Sequence, residues 1–370
     1  MKILIVTPIF PPEVGGPARY SWDLLRLLSP KHFVKVVCFA PKKIELSNVV
    51  SVGTDKGTIK RQWQFFKSCL QQCRGCDVML LFEPLTVGLA GLLAGKILGK
   101  KVILKYVGDV SWETARNQGI TKLDLESYLD SHLDWRRLLT LAVLTFVDQI
   151  ITPSVYLERV LSKYYFVSRG KIKAIPNSVD LPVRKISKIK NQIIYSGRLV
   201  DWKNLDLVLH ALSHLSKTSP WKLLIVGDGP EKRKLVQLCA HLKLKNRVQF
   251  LGSLNPGETL GRIVQSELLI LFSDYEGMSH VILEGMANGA VVIASDIPSN
   301  ADVIADKSTG FLVPRQNIDL LTKTVAQLLA NPKFCLEISQ KARHEIEQHY
   351  TWSTNLPSLI NAFNNLIGKS

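Results

Sequence analysis

The chain has 370 residues, of which 46% are hydrophobic and 21% are charged, and its formal net charge is +16 at pH 7. A chain of this length can bury the cores of about two domains, which excludes a miniprotein held together by disulfides or a metal. The ordinary content of apolar and aromatic residues also excludes a wholly disordered chain.

The positive charge is concentrated in the first half of the chain. Residues 1–188 carry 28 basic and 15 acidic side chains, a net charge of +13, whereas residues 189–370 carry 19 and 16, a net charge of +3. A basic half attracts nucleic acid, an anionic lipid surface or a phosphorylated substrate, and charge alone does not choose among them.

Short apolar runs alternate with longer helical patterns along the first half of the chain. The runs predict strands at residues 3–7, 34–39, 78–82, 101–107, 149–152 and 172–175, and the apolar spacing predicts helices at 17–28 and 85–98. Continuous apolar strands are typical of parallel sheets that are covered on both faces. The order of strands and helices therefore indicates a doubly wound α/β domain.

The same pattern restarts after a polar, basic stretch at residues 181–191, which we interpret as a linker. Strands are expected at 193–196, 221–226, 248–251, 268–272 and 290–294, with helices at 203–215, 231–242 and 350–367. The predicted organisation is an N-terminal Rossmann-like domain (1–185), a C-terminal Rossmann-like domain (186–350) and a final helix (351–370) that returns to the first domain. A ligand is expected in a cleft between the two domains, at the carboxyl ends of their strands.

Residues 274–294 (DYEGMSHVILEGMANGAVVIA) form the most informative stretch. They place Glu276 in a turn after a strand and Glu284 in a helix that begins near Ser279. The amides and positive dipole of a helix start favour a phosphate, which leaves Glu284 to accept hydrogen bonds from neutral hydroxyls. The alternative is that both acids are simply solvated.

Two further stretches supply cations and glycines. In residues 196–204 (SGRLVDWKN), Arg198 and Lys203 suit a diphosphate, one through its planar fork and the other as a point charge. Ordinary surface cations are the alternative. In residues 10–20 (FPPEVGGPARY), Gly15 and Gly16 allow backbone amides to approach a ligand closely. That turn lacks the G-x-G-x-x-G spacing of dinucleotide-binding folds, and a plain tight turn is its alternative reading.

Taken in order, these motifs resemble a retaining GT-B glycosyltransferase of family 4. Glu276 and Glu284 match the motif E-x7-E, and Arg198 and Lys203 lie in G-R-L-x-x-x-K. The pieces VGDGPEK (226–232), VQFLG (248–252) and IPNSVD (175–180) also match, with Ser178 where glycine is common. The resemblance covers nearly the whole chain. It implies transfer of a hexosyl unit from a UDP- or GDP-linked sugar to an acceptor hydroxyl, on a lipid-linked or cell-surface glycan.

The resemblance also implies roles for individual residues. Arg198 and Lys203 neutralise the donor diphosphate, Glu284 holds the ribose hydroxyls, and Glu276 positions the donor hexose with the help of backbone amides. Gly16 brings its amide to the phosphate from the opposite domain. The implied donor-binding set is Gly15, Gly16, Arg198, Lys203, Gly277, Met278, Ser279 and Glu284.

The expected chemistry explains these residue types. Breaking the anomeric C–O bond builds negative charge on the leaving diphosphate, which fixed cations and a helix N-terminus stabilise. The sequence has no D-x-D pair, and its lone C-x-x-C (Cys73 and Cys76) lacks the further ligands of a zinc site, so no metal is expected. The resemblance implies attack on the leaving-group face with retention, in which a leaving phosphate oxygen takes the acceptor proton.

One departure from the family pattern lies in residues 106–113 (YVGDVSWE), where Gly108 stands in place of a frequent histidine. Because some members resemble this G-D-x-x-W-E variant, Asp109 becomes the second catalytic candidate beside Glu276, orienting the acceptor or the sugar. The alternative role for Asp109 is the N-cap of the helix that follows. The acceptor entrance is expected to include Arg19, Tyr20, Trp112 and Glu113.

If the acceptor is lipid-linked, the basic residues of the first half are expected to bind an anionic membrane. The candidate contacts with that membrane are Lys60, Arg61, Lys67, Lys96, Lys100 and Lys101. The predicted location is cytoplasmic, with peripheral binding at the inner face of the plasma membrane. Nucleic acid is not an expected partner, because no basic stripe interleaved with aromatic residues is present. The alternatives are another GT-B enzyme, such as a sugar-phosphate synthase or an epimerase, and a non-catalytic membrane-binding scaffold.

Overall fold

A computed structural model of the chain describes residues 1–55, 57–181, 187–216 and 220–368. The predicted domain boundary at 185/186, together with linker residues 182–186, lies outside the described residues. The chain divides into two compact units. Unit 1 contains Met1–Ala115, Leu125–Ile175 and Pro357–Ser370, and unit 2 contains Arg116–Asp124 and Pro176–Leu356.

Unit 1 is built on one parallel sheet. Its strands are β1 (Lys2–Thr7), β2 (Phe33–Ala40), β3 (Val49–Gly53), β4 (Val78–Phe82), β5 (Lys101–Lys105), β6 (Gln149–Thr152) and β7 (Ile172–Ala174). Their order in the sheet is β3-β2-β1-β4-β5-β6-β7. All five residues of β4 are buried, because helices cover both faces of the central strands. From β1 the chain adds β2 and β3 on one side and then β4 to β7 on the other, so the carboxyl ends of β1 and β4 form the switch point at which α/β folds bind ligands.

The helices of unit 1 follow its strands in βαβ order. They are α1 (Gly16–Leu28), α2 (Thr58–Cys73), α3 (Leu89–Ile97), α4 (Val110–Asn117, whose last two residues group with unit 2), α5 (Leu125–Ser131), α6 (Trp135–Phe146) and α7 (Val155–Tyr164). Asp134 and Ser154 cap α6 and α7 by accepting hydrogen bonds from the backbone N–H groups of Arg137 and Leu157.

Unit 2 repeats the architecture with a second parallel sheet. Its strands are β8 (Ile189–Ser196), β9 (Lys222–Val226), β10 (Val248–Gly252), β11 (Ser266–Leu271), β12 (Val291–Ser295) and β13 (Phe311–Val313). They lie in the order β10-β9-β8-β11-β12-β13. The sheet forms the centre of the core of this unit, where Ile193, Leu269 and Ile293 are completely buried.

Seven helices of the described chain surround this second sheet. They are α8 (Leu205–Ser213), α9 (Lys232–His241), α10 (Pro256–Gln265), α11 (His280–Ala287), α12 (Pro298–Ala301), α13 (Ile318–Ala330) and α14 (Pro332–His349). The final helix, α15 (Trp352–Ile367), begins in unit 2, and its residues from Pro357 onward group with unit 1.

The α/β fold with two parallel sheets confirms the fold class predicted from the sequence. All eleven predicted strands are present, whereas β3 and β13 were not predicted because one is a short edge strand and the other has only three residues. The linker prediction is wrong for Ile189–Asn191, which open β8. The predicted helix at 85–98 starts instead as a π-helical turn, Pro84–Gly88, because the Glu83 carboxylate accepts hydrogen bonds from two backbone N–H groups of that turn.

Candidate functional site

The loops that contain Lys203 and Glu276 lie at the same edge of the unit 2 sheet. One loop follows β8 and the other follows β11, and these two strands are hydrogen-bonded parallel neighbours. Because neighbouring parallel strands end at the same edge, residues 73 positions apart in the sequence meet here.

Lys203 and Glu276 form an ion pair at this edge. Lys203 Nζ lies 2.5 Å from Glu276 Oε1, and Ser273 Oγ donates a hydrogen bond of 2.6 Å to the same oxygen. The exposed fractions of the two charged side chains are 17% and 11%, so water screens their attraction only weakly. The lysine predicted to meet a diphosphate is thus paired with the glutamate predicted to meet the donor hexose.

Asn204 and Asp274 fasten the two loops beside this pair. Asn204 adopts a left-handed conformation (φ 47°), and its Nδ2 donates to the Phe272 carbonyl at 3.1 Å and to Asp274 Oδ1 at 2.7 Å. The Asp274 N–H donates to the Trp202 carbonyl at 2.7 Å. No sequence motif predicted a role for Asn204 or Asp274, although each lies within two residues of a predicted site residue.

Arg116 adds a buried cation that sequence reasoning missed entirely. Its side chain is 5% exposed, and Nη2 donates to Asp201 Oδ2 at 3.1 Å and to Asp274 Oδ2 at 3.2 Å. Charge-assisted bonds of this kind hold both loops in place more firmly than neutral ones. Arg116 lies in a segment far earlier in the chain, so no local pattern could have connected it with these carboxylates.

Helix α11 begins where the sequence predicts it, directly after Ser279, and the anion site at its start stays a prediction. Ser279 is the N-cap, and its Oγ accepts a hydrogen bond of 3.4 Å from the Ile282 N–H. Asn177, in the predicted IPNSVD motif, donates from Nδ2 to the Met278 carbonyl at 3.0 Å. Asn177 and Met278 are both buried, so this contact anchors the loop before α11. Glu284 is half-buried in the second turn of the helix.

Arg198 lies exposed in the loop after β8. Its carbonyl accepts a hydrogen bond of 3.0 Å from Tyr195 Oη, which fixes the backbone while leaving the guanidinium in solvent. The adjacent loop approaches so closely that a Cβ on Gly227 would lie 2.0 Å from the Gly197 carbonyl oxygen. Gly227 also has φ +131°, so the VGDGPEK motif requires glycine at this position.

In unit 1, Gly16 is the first residue of α1 and Gly15 is its N-cap. Apart from Gly16 itself, its two chain neighbours and the backbone of its own helix, no heavy atom of the described residues lies within 4 Å of the position that a Gly16 Cβ would occupy. A ligand therefore has space to approach the Gly16 backbone closely, as the sequence predicts. The role of both glycines in donor binding stays a prediction. Arg19, one turn later, pairs with Asp23 at 2.9 Å.

Asp109 is 1% exposed and accepts three hydrogen bonds within unit 1. Its Oδ1 accepts from the Trp112 N–H at 2.9 Å, and its Oδ2 accepts from Tyr106 Oη at 2.9 Å and from Tyr165 Oη. Burial and the Asp109 charge raise the pKa of Tyr165. The structure therefore places Asp109 in the capping role that was its alternative, and action on the substrate stays a prediction.

Two of the four predicted acceptor residues have almost no exposed surface. Tyr20 is 2% exposed and Trp112 is 0% exposed, so these rings pack in the protein and are unavailable to an acceptor in this conformation. Arg19 and Glu113 are half-buried and keep accessible atoms. A role of any of the four residues in acceptor binding stays a prediction.

Lys105 is a buried cation beneath Tyr20. Its Nζ lies 4.0 Å from the centre of the Tyr20 ring, and no hydrogen-bond partner for this nitrogen is found in the described ranges. Lys105 is 2% exposed, and burial lowers the pKa of its amine to about 7. The burial of Lys105 could not be predicted from the sequence, since a lysine at the end of a strand usually reaches solvent.

Within the part of the chain that the structure describes, no group of three or more His, Cys, Asp or Glu side chains could hold a metal ion. Cys73 and Cys76 are buried free thiols whose sulfur atoms lie 3.8 Å apart. Among the described residues, no helix combines the length and the apolar character required to span a bilayer.

Comparison with known proteins connects this geometry with a family. The description "Glycosyltransferase Family 4" matches residues 14–182, and "Glycosyl transferases group 1" matches residues 180–345. An uncharacterized glycosyltransferase of Haemophilus influenzae is 32% identical over 203 residues, which are 54% of this chain and 56% of that relative. The match thus spans little more than half of the relative's length.

Two solved structures resemble the whole chain in fold. Sucrose-phosphate synthase of Thermosynechococcus elongatus superimposes with a TM-score of 0.82 at 19% identity and covers 100% of both chains. Anabaena HepE, solved in complex with UDP and glucose, superimposes with a TM-score of 0.79 at 16% identity and covers 99% of this chain and 100% of its own. The two family matches, which together span residues 14–345, show that the chain belongs to the glycosyltransferases of group 1 and family 4.

Proposed function

We propose that this chain is a retaining, metal-independent glycosyltransferase that moves a hexosyl unit from a nucleoside-diphosphate sugar to an acceptor hydroxyl. The observation that supports this most directly is the Lys203–Glu276 ion pair at the edge of the unit 2 sheet. It lies in the loops that also carry Arg198 and the start of α11. Cations, helix amides and a carboxylate in neighbouring loops match the parts of a sugar diphosphate.

The donor occupies unit 2 in this proposal. Arg198 and Lys203 contact the diphosphate, and the backbone amides of residues 277–279 add the positive end of α11. Glu284 accepts hydrogen bonds from the ribose hydroxyls. When Lys203 pairs with the diphosphate instead of with Glu276, the Glu276 carboxylate becomes available to bind hydroxyls of the donor hexose.

The reaction then needs no nucleophile from the protein. The anomeric C–O bond to the diphosphate breaks, the acceptor oxygen forms the new bond on the same face, and the acceptor proton passes to the leaving phosphate oxygen. Arg198, Lys203 and the α11 amides stabilise the negative charge that develops on the diphosphate. Fixed cations take over the charge neutralisation that a divalent ion supplies in other enzymes.

UDP is the favoured donor nucleotide, because HepE, which shares the fold, was solved with UDP and glucose. GDP is the other candidate. Unit 1 is proposed to bind the acceptor, a lipid-linked or cell-surface glycan, with Arg19 and Glu113 as its accessible polar contacts. Asp109 acts here as a positioning residue, since it holds the start of α4 through the Trp112 N–H. The proposed location is the cytoplasm, at the inner face of the plasma membrane.

Calorimetric titration with UDP, GDP, ADP and CMP in the presence of EDTA tests the donor site. Selective binding of one diphosphate without metal is the expected result. Arg198→Ala, Lys203→Ala and Glu284→Ala should each weaken that binding by about tenfold or more, as expected for loss of a charge-assisted hydrogen bond. Lys333→Ala, at an exposed position in α14, is the matched control. Unchanged binding in all three site variants would show that the donor site lies elsewhere.

A sugar-phosphate synthase is the second candidate, favoured by the fold shared with sucrose-phosphate synthase. Incubation with the preferred nucleotide sugar and either a sugar phosphate or a lipid-linked glycan separates the two. NMR of the product's anomeric configuration tests retention. A chain that binds none of the nucleotides would instead support a non-catalytic scaffold.

A further inference from the structure

The helices α2, α3 and α6 of unit 1 expose an unusual number of large apolar side chains. α2 packs against α3, and α3 packs against α6, so the three helices lie side by side. We use the name apolar ridge for eight side chains on these helices that are 37–88% exposed: Ile59, Trp63, Leu93, Ile97, Trp135, Leu138, Leu139 and Phe146.

Helix α6 shows that the ridge is more than a scatter of surface residues. Its inner face buries Thr140, Val143 and Leu144, as expected for packing on the unit. Its outer face repeats apolar residues at the helical spacing of three and four, from Trp135 through Leu138 to Phe146. A surface helix normally turns charged residues outward, and a contiguous exposed apolar patch marks a binding surface.

Within the three helical segments of the ridge, the charge has one sign only. Residues 58–73, 84–101 and 135–146 contain eight Lys and Arg residues and no Asp or Glu. Three of the acids that flank these segments have partners of their own, and Asp55, which precedes α2, is exposed. Asp134 caps α6, Asp148 pairs with Lys96 at 2.9 Å, and Glu83 accepts hydrogen bonds from the backbone of the π-helical turn.

The cations and aromatic rings of the ridge are arranged as at a lipid interface. Lys67 Nζ lies 5.2 Å from the centre of the Trp63 ring, and the Arg136 guanidinium lies 4.6 Å from the centre of the Trp135 ring. Tryptophan prefers the boundary between headgroups and hydrocarbon, where a long basic side chain reaches phosphate while its stem stays in an apolar layer. Lys60 is exposed beside Ile59, the most exposed member of the ridge at 88%.

We propose that the apolar ridge and its surrounding cations form a docking surface for an anionic lipid bilayer. This docking surface rests on the proposed function in one respect: a lipid-linked acceptor is the reason for the enzyme to bind a membrane. Charge complementarity selects this partner. A second copy of the chain would bring two uniformly cationic faces together, and a nucleic acid would satisfy the cations but leave five aliphatic side chains against phosphate.

Vesicle flotation with the full chain tests the surface. The probes are vesicles of phosphatidylcholine alone and vesicles of phosphatidylcholine mixed with phosphatidylglycerol. The wild-type chain should float with the anionic vesicles and bind the neutral ones at least about tenfold less tightly, because each basic residue near the surface adds to the attraction. Binding should also shift the tryptophan fluorescence to the blue, an effect reduced by Trp63→Phe.

Two variants and two matched controls separate the contributions. Lys60→Glu with Lys67→Glu reverses charge on the ridge, and Trp135→Ser with Leu138→Ser removes apolar surface. Each pair should weaken binding to anionic vesicles by about tenfold or more. Lys333→Glu with Lys341→Glu, and Leu336→Ser, make the same types of change on α14 at exposed positions and should bind as the wild type does.

Several results would overturn the docking surface. Equal recovery with both vesicle types, or ridge variants that float like the wild type, would do so. A dimer in sedimentation experiments that Leu138→Ser dissociates would assign the ridge to a second copy. Binding of an oligonucleotide but not of vesicles would assign the cations to nucleic acid. Calorimetry with UDP keeps the two proposals apart, since intact UDP binding without flotation contradicts the docking surface alone.

Discussion

The Lys203–Glu276 ion pair predicts opposite effects of its two partners on nucleotide binding. Lys203→Met removes a cation from the proposed diphosphate site, so UDP should bind about tenfold more weakly or worse. Glu276→Gln frees Lys203 from its partner and removes a negative charge beside the nucleotide. UDP alone, which lacks the hexose, should therefore bind to Glu276→Gln as tightly as to the wild type or more tightly. Sugar transfer should fall in both variants.

Because of this ion pair, the effects of substituting Lys203 and Glu276 on the free energy of unfolding should not be additive. Exposed ion pairs contribute about 0.2–1 kcal/mol, whereas removing one partner of a fully buried pair costs about 3–5 kcal/mol. The exposed fractions of the two side chains are 17% and 11%, so this pair lies between an exposed and a fully buried pair. Residual screening by solvent reduces its energy below that of a fully buried pair. We expect a coupling energy of about 1–3 kcal/mol, which is a factor of roughly 5–150 in the unfolding equilibrium constant.

Urea unfolding of both single variants and of the double variant Lys203→Met/Glu276→Gln measures this coupling. The double variant should be less destabilised than the sum of the single variants, because it leaves no charge without a partner. Lys333→Met controls for loss of an exposed lysine. Additive stability effects would contradict the ion-pair reasoning, and a Glu276→Gln variant that binds UDP as weakly as Lys203→Met would contradict the proposed site.

Three further predictions concern positions outside this pair. Gly227→Ala should destabilise the chain by about 2 kcal/mol or more in thermal unfolding, because the new Cβ meets a carbonyl oxygen and φ is positive. Gly261→Ala is its control, since beyond its chain neighbours and the backbone of its own helix no heavy atom of the described residues lies within 4 Å of a Cβ there, and the change within α10 should stabilise by about 0.5–1 kcal/mol. Asp109→Ala should cost about 2–4 kcal/mol in urea unfolding, through loss of the cap and of the acceptor for two buried phenols, and a cost below 1 kcal/mol would contradict this. Burial lowers the pKa of Lys105 to about 7, below that of the unfolded chain, so between about pH 7 and 10 the unfolded state binds more protons and stability should rise with pH. Lys105→Met should flatten that slope and leave the chain more stable at pH 7, and an unchanged slope would show that Lys105 is not the cause.

Much of the fold could be predicted from the sequence because the physical signal is local. Strands covered on both faces need apolar residues at consecutive positions, and this requirement identified eleven of them. It failed for the short edge strand β3, where burial on both faces is absent and the run is correspondingly weak. It also failed at Ile189–Asn191, where backbone pairing with β11 extends β8 through polar residues.

The motifs identified the donor-site candidates, but their contacts depend on the pairing of distant strands. Residue types and spacing marked Arg198, Lys203, Glu276 and Glu284 as a set. The direct bond between Lys203 and Glu276 exists because β8 and β11 are neighbours in the sheet, and no local pattern states which strands are neighbours. For the same reason the buried Arg116, which joins Asp201 and Asp274, could not be predicted.

The sequence by itself determined the alternation of strands and helices, the concentration of charge in the first half, and the residue types of the donor-site motifs. These are properties of short segments, set by burial, capping and turn chemistry. The tertiary structure decided which polar side chains are enclosed. It placed Asp109 between a helix start and two tyrosines, removed Trp112 from the surface and set three apolar helices side by side facing solvent. Burial and partnership of side chains are consequences of packing between segments far apart in the chain, so they become visible only when those segments meet.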